Sequence, residues 1–310
     1  MKRFLLPHLI CPSCLPKEQP LTLSADQEKD ADILSGSLSC GTCRRRYTIS
    51  DGVAVLRPDP ESAGHWRYED AETLNRYLWS HYGDLHGDAG NAGAVASWSG
   101  LLAKGSSLAL DAGCSVGRIV FEMAARSSFA VGCDLSHGFV RTARRLARER
   151  SLKYSLPLEG NLRETFQFTL PESWRTEQVE FVVADALRLP FAKHTFQQSA
   201  SLNVVDRVSY PLAHLFEMNR VASRQGGSFL FASPFSWSTS DIPEERWLGG
   251  TVAGAYPGRG ADNVAALLEG KGGVLSPPWQ ICFNGQVQWR MRSHSNHCEL
   301  FNSHTLQARR

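Results

Sequence analysis

No apolar run of about 18 residues, the length a helix needs to cross a bilayer, occurs anywhere in the chain, so no membrane span is expected. An excess of one charge is also missing. The 33 Lys and Arg against 31 Asp and Glu leave a formal net charge of +2, so no overall field draws the chain to nucleic acid or to an anionic membrane. The opening MKRFLLPHLIC imitates a secretion signal. Its apolar run is short, however, carries Pro7 and His8, and ends at a cysteine that has another use. There is no internal repeat and no low-complexity tract. At 42% hydrophobic and 21% charged, the 310 residues suffice for one large domain and a small one. A soluble, cytoplasmic protein is the expectation.

A disulfide framework is absent too. Four of the eight cysteines fall in two C-x-x-C pairs, Cys11-Pro-Ser-Cys14 and Cys40-Gly-Thr-Cys43, while Cys114, Cys133, Cys282 and Cys298 stand alone. Each pair makes a tight turn that aims two thiolates at one ion. Two such turns close a tetrahedral four-cysteine site for structural Zn2+. So small a segment cannot fold on its own apolar surface, and zinc binding, worth roughly 10–16 kcal/mol, supplies the difference. A redox or disulfide role is the weaker alternative. Tyr47–Leu56 then reads as two short strands about an Asp51-Gly52 turn. Pro- and Ser-containing residues 58–64 read as a linker, dividing the chain into a zinc ribbon (1–57) and a main domain (65–310).

The main domain opens on a helical, aromatic stretch that includes Trp66, Tyr68, Tyr77, Trp79 and Tyr82. Apolar strands then alternate with helical segments, as in a doubly wound α/β domain. Strands are expected at 107–110, 130–133, 181–184, 198–202 and 228–232, with helices opening at 118 and 138. Residues 108–118, LALDAGCSVGR, fit two chemistries. Gly113-Cys-Ser115-Val-Gly117 matches G-x-S-x-G, which in serine hydrolases holds the nucleophile. Those folds place several strands ahead of the serine, and too little chain separates the ribbon from Ser115 for that. No histidine is selected by spacing as its partner. Ser115 is therefore read as a small residue in a cofactor loop. Asp111 ends the first strand, Asp134 ends the second, 17 residues past Gly117, and Asp185 follows the third. An acid about 20 residues beyond a glycine loop is where a ribose diol finds its acceptor.

This pattern resembles the class I S-adenosylmethionine-dependent methyltransferases, whose acid and G-x-G-x-G read here D-A-G-C-S-V-G with Ser115 in place of the middle glycine. The resemblance implies a Rossmann-like fold, S-adenosyl-L-methionine as cofactor, and cofactor contacts from Asp111, Gly113, Ser115, Gly117, Arg118, Asp134, Leu135, Asp185, Ala186 and Asn203. Residues 1–57 resemble the small zinc ribbons that partner RNA and protein methyltransferases, and the ribbon fused ahead of one class of bacterial rRNA guanine methyltransferases. YLWSHYGD, VGCDLSHGFVRTARRL, KYSLPLEGNL, SLNVVDRVSYPL and GGSFLFASPFSWSTSDIPEERWLGG are together similar to the methyltransferase domain of ovothiol synthase. That domain methylates an imidazole nitrogen of a thiohistidine. Its iron-dependent sulfoxide synthase portion has no counterpart here.

The acceptor implied is a small imidazole compound, a histidine derivative. Asp206 would accept the N–H of the ring nitrogen that is not methylated, fixing the tautomer, and Asn203 would contact substrate or cofactor. Tyr77, Tyr82, Arg207 and Trp247 are the expected substrate neighbours, the last in a substrate lid. The bland alternatives are a turn cap for Asn203 and Asp206, an Asp206–Arg207 pair, and simple packing for the tyrosines. A second reading is an RNA or protein-histidine methyltransferase with the ribbon as recognition module or docking point for a protein partner. On RNA, Arg44–Arg46 and the stripe Arg141, Arg144, Arg145 and Arg148 would track phosphate; otherwise they form solvated faces. A third is a non-catalytic adaptor that binds cofactor. His294, His297 and Cys298 fall in an expected final hairpin and are not read as a metal site.

Overall fold

The first cysteine pair lies on a short turn at Cys11–Cys14 and the second between two strands of an antiparallel meander of β1 (Leu21–Lys29), β2 (Asp32–Cys40), β3 (Arg46–Ser50) and β4 (Val53–Leu56). The computed structural model describes residues 1–58, 69–87 and 89–310. All but Pro58 of the expected linker 58–64, together with Trp66 and Tyr68, lie outside the described residues. After the meander come α1 (Ala71–Tyr82), α2 (Ala89–Leu101), β5 (Ser106–Ala112), α3 (Arg118–Ala124), β6 (Ser127–Asp134) and α4 (His137–Glu149). A separate hairpin, β7 (Ser151–Glu159) and β8 (Leu162–Thr169), precedes β9 (Val179–Ala184) and β10 (Gln198–Leu202). The chain closes with α5 (Pro211–Val221), β11 (Ser228–Ser233), α6 (Gly260–Leu268) and the long hairpin β12 (Gln280–His294) and β13 (His297–Arg309).

The strands other than β7 and β8 form one sheet in the order β1-β2-β3-β4-β9-β6-β5-β10-β11-β13-β12. From β9 to β11 the pairing is parallel, and these apolar runs are buried on both faces, as parallel strands require. β13 enters antiparallel beside β11, so the main body is a mixed Rossmann-like sheet, the expected fold class. α1 to α4 cover one face, with Phe121, Phe139 and Leu146 in its core. α4 docks through Phe139, Val140, Ala143 and Leu146, spaced for one helical face, and Ser136 Oγ caps it by accepting from Phe139 N.

The opposite face is covered by α5, α6 and the first ten residues. No α-helix lies between β9 and β10. The apolar segment 3–10 fills that place instead, with Ile10 N donating to Pro190 O and Ala192 N to His8 O. Leu5 and Leu9 share one cluster with Leu189, Phe191 and Phe196, all buried.

The sheet passes without a break from the meander into the main body. β4 pairs parallel with β9, Val55 opposite Val183 and Leu56 opposite Ala184. Arg144 of α4 ties the junction together by reaching Asp32 in β2 and the fully buried Glu180 in β9. Gly52 (φ +75°) makes room for it, since a Cβ there would lie 2.4 Å from Arg144 Nη2. The arginine stripe of α4 thus divides: Arg141, Arg145 and Arg148 are exposed, as a solvated face requires, and Arg144 is not. Arg144 is a buried clamp, and Arg145 and Arg148 both pair with Glu149.

Candidate active site

Chain order reverses between β5 and β10, which are neighbours in the sheet, and a crevice opens past the strand ends at that point. A cavity of about 680 Å³ lies there. Its walls follow the sheet order: Asp185 and Ala186 past β9, Asp134 and Leu135 at β6, Asp111 to Ser115 at β5, and Asn203 and Arg207 past β10. α1 lines it from above with Tyr77, Ser80 and His81, three residues on one helical stripe.

Ser115 (φ +49°) and Gly113 (φ +83°) carry the chain around the end of β5 in the left-handed region. Gly113 cannot be replaced cheaply, because a Cβ would lie 2.3 Å from Val204 Cγ2. Asp134 holds the loop by accepting from Ser115 N (2.9 Å) and from Ser136 N (2.9 Å). Burial raises the Asp134 carboxyl, against the pull of those N–H groups. Asp111 has no such compensation. Burial, and after it the charge of Asp134, pushes its carboxyl up to about 8, and Oδ1 is buried without a partner. Ser115 Oγ is likewise buried and unpartnered. Past β9, Asp185 Oδ1 accepts from Leu187 N, and buried His214 bridges Ala186 O and Ser201 Oγ through its two ring nitrogens.

The expected site residues divide. Asp111, Gly113, Ser115, Asp134, Leu135, Asp185, Ala186, Asn203, Tyr77 and Arg207 all border the cavity. Five others do something else. Gly117 (φ +85°) does not border it; its missing side chain lets α3 pack, as a Cβ would lie 2.8 Å from Phe181 and 2.9 Å from Ala143. Arg118 borders the cavity but has no donor left for a ligand. Nη1 and Nη2 grip Asp84 at 2.6 and 2.8 Å, Nη1 also donates to His81 O, and Nε and Nη2 reach Glu122. Tyr82 is buried in the core, its hydroxyl on Val116 O and its ring stacked on Phe168 at 4.7 Å. Trp247 stacks on Trp237 and donates to Ile242 O away from the cavity; Ser240 and Asp241 of that segment line it instead. Asp206 is buried and does not border the cavity; its Oδ2 accepts from Ser236 N at 2.8 Å, which anchors the chain after β11, and its Oδ1 is buried without a partner. Sequence reasoning missed His81, Trp98 and Trp289, which no local motif distinguishes from core aromatics.

A second cavity of about 410 Å³ adjoins the first and shares Tyr77, Asn203, Arg207 and Trp289 with it. Thr73, Arg76, Pro234, Met291, Glu299 and Phe301 complete its wall. Trp289 stacks on Phe301 at 4.5 Å, and Arg76 pairs with Glu299 at 2.6 Å. Asn203 (φ +61°) accepts from Ser303 Oγ through Oδ1.

The four N-terminal cysteines converge. Their sulfurs lie within 4.8 Å of one another, with Cys11–Cys43 at 3.6 Å and Cys14–Cys40 at 3.7 Å. A tetrahedral zinc with ~2.3 Å bonds holds sulfurs ~3.8 Å apart, so the set fits Zn2+. Tyr47 Oη, 3.1 Å from Cys11 Sγ and 2.9 Å from Ser13 Oγ, steadies the first pair. Among the described residues no other three such ligands come together, and His294, His297 and Cys298 lie in the β12–β13 hairpin.

Residues 110–231 match the model of the methyltransferase domain family, and residues 2–52 match that of the Trm112p-like proteins. The chain is a methyltransferase. It joins a class I S-adenosylmethionine-dependent domain to a Trm112p-like segment whose four cysteine ligands suit a structural zinc. No curated protein matches the chain. Among solved structures, a methyltransferase from Aquifex aeolicus is 13% identical, with TM-score 0.45 and coverage of 77% of this chain and 98% of that one. Magnesium protoporphyrin IX methyltransferase from Synechocystis is 16% identical, with TM-score 0.43 and coverage of 78% and 97%. A complex of the Haloferax volcanii Trm112 activator with a methyltransferase is 17% identical, with TM-score 0.35 and coverage of 52% and 60%.

The methyltransferase cavity suits its cofactor. An unpartnered buried acid in Asp111, an unpartnered hydroxyl in Ser115 and the cradle kept open by Gly113 call for a ligand with a cationic group and further polar atoms. Asp134 would hold the ribose, Asp185 the adenine amino group and Asp111 the ammonium. No helix among the described residues is long and apolar enough to cross a membrane.

Proposed function

We propose that this methyltransferase acts on a ring nitrogen of a small acceptor, an imidazole-bearing histidine derivative, seated in the second cavity. The observation that carries the reading is the junction of the two cavities at Tyr77, Asn203, Arg207 and Trp289. About 410 Å³ accommodates a compound of amino-acid size. The neighbouring charges of Arg76 and Glu299 suit a zwitterion, and Trp289 with Phe301 offers an aromatic face. Of the second cavity's lining, Tyr77, Asn203, Arg207 and Pro234 lie in segments that resemble the ovothiol synthase domain, and that resemblance is what favours an imidazole among such acceptors.

S-adenosylmethionine supplies the methyl group on a sulfonium. The protein's part is alignment: the loop at β5 borders the first cavity and the residues past β10 border both, and holding two reactants in line accounts for about 7–11 kcal/mol of a barrier. A neutral imidazole needs no activation near pH 7. With Oδ1 taken by Ser303, the Asn203 NH2 is the end that serves a ligand. Arg207, paired with Asp241 at 3.3 Å, sets the charge at the junction. Tyr77 closes the cavity against water.

The test uses zinc-loaded protein, methyl-labelled cofactor and a native extract separated into small-molecule, protein and RNA fractions. Label in the small-molecule fraction, abolished by Asp134→Ala, is the expected result. Label in protein or RNA overturns it and makes the Trm112p-like segment a targeting module.

A further inference from the structure

The amino-acid end of the cofactor needs two partners, one for its ammonium and one for its carboxylate. Asp111 suits the first. The basic residue nearest the second in sequence, Arg118, is unable to serve: its guanidinium is fully committed to Asp84, Glu122 and His81 O. Other donors on that wall are committed as well. Ser80 Oγ donates to Arg290 O, and Trp98 Nε1 to Thr305 Oγ1.

Besides Asp111, two residues that border the cavity carry a buried polar atom without a partner. Ser115 Oγ is buried without a partner, and so is Nδ1 of His81. Both residues border the cavity. The bond from Arg118 Nη1 to His81 O (2.8 Å) fixes the position of His81 against the start of α3, just past the β5 loop that carries Ser115 and Asp111. The Tyr77 ring, 5.7 Å away and edge-on, holds the imidazole from the other side.

We infer that His81 and the Ser115 hydroxyl, both bordering the cavity, form the carboxylate subsite for the amino-acid end of S-adenosylmethionine. Burial, and after it the charge of Arg118, brings the imidazole down to about 4, so near neutral pH it is an uncharged donor. A neutral donor at this position has a physical advantage. It avoids a second cation beside Arg118 in the absence of ligand, and Nδ1, in the tautomer that carries the proton there, gains a bond when the carboxylate arrives. Arg118 is then a positioning residue that acts through the His81 backbone. The inference concerns the cofactor alone and stands whichever acceptor is used.

Calorimetric binding of two ligands tests it: S-adenosylmethionine, and its decarboxylated form, which keeps sulfonium and amine and lacks only the carboxylate. The wild-type protein should prefer the intact cofactor by about tenfold or more. His81→Ala should erase most of that preference while leaving affinity for the decarboxylated ligand within about twofold, and His81→Gln, which keeps a donor, should restore part of it. A preference that survives in both variants places the carboxylate elsewhere and overturns the inference. Equal loss for both ligands does the same, since it would show a packing role only.

Discussion

Arg57 Nη2 donates to the carbonyl of Leu135 at 2.6 Å. The donor follows β4, the last strand of the N-terminal meander, and the acceptor follows Asp134 on the wall of the cofactor cavity. The chain just past the Trm112p-like segment therefore supports the cavity wall directly, and the β4–β9 pairing reinforces it one strand further along at Ala184. Arg57→Ala should weaken binding of S-adenosylhomocysteine by about three- to tenfold, the effect of one charge-assisted hydrogen bond, without loss of zinc. Calorimetry together with metal analysis checks both parts.

Zinc removal should act on the same wall more strongly. A segment that depends on its metal to fold loses β4 along with the four-cysteine site. Chelation should lower both thermal stability and cofactor affinity, and readdition of Zn2+ should restore them. Retained affinity in metal-free protein would separate the two regions.

The Asp111 carboxyl ionises near 8 in the folded, ligand-free protein, against about 3.9 in an unfolded chain. Between these values the native state holds a proton that the unfolded state has lost. Stability of the ligand-free protein from this group is therefore complete below about pH 4 and falls as pH rises through about 8. Asp111→Asn should flatten that dependence and raise the melting temperature at alkaline pH, while cofactor affinity drops. Thermal melts across pH, paired with binding, read both effects.

Arg118→Ala strips the partner from Asp84 and Glu122 in a mostly buried network, a change that costs about 3–5 kcal/mol. Denaturant titration should show it, and Lys at this position should recover little because it lacks the planar fork.

Gly113→Ala combines a positive φ with a Cβ 2.3 Å from Val204 Cγ2. Strain of about 1–3 kcal/mol should appear as a five- to hundredfold loss of cofactor affinity. Val204→Ala in the same chain should return the steric part of it, measured by the same titration.

Strands 106–112, 127–134, 179–184, 198–202 and 228–233 were legible because parallel strands are buried on both faces and read as apolar runs. Hairpin β7–β8 was not, since its second arm is mostly exposed and follows no core pattern. Acids at strand ends line one cavity because topology sends strand ends to one crevice. Direction was the part that spacing could not supply. Asp206 and Arg118 have the right type and place in the chain, yet one turns to Ser236 and the other into an ion-pair network. His81 shows the converse: an unremarked helical histidine reaches the cavity because α1 crosses above the strand ends.

Whether a small acceptor occupies its own chamber beside the cofactor is decided most directly by filling that chamber. Met291 lines the second cavity and not the first. With Met291→Trp, S-adenosylhomocysteine should bind as in the wild type while transfer of labelled methyl to the small-molecule fraction is lost. Undiminished transfer with the chamber filled would mean that the acceptor sits elsewhere.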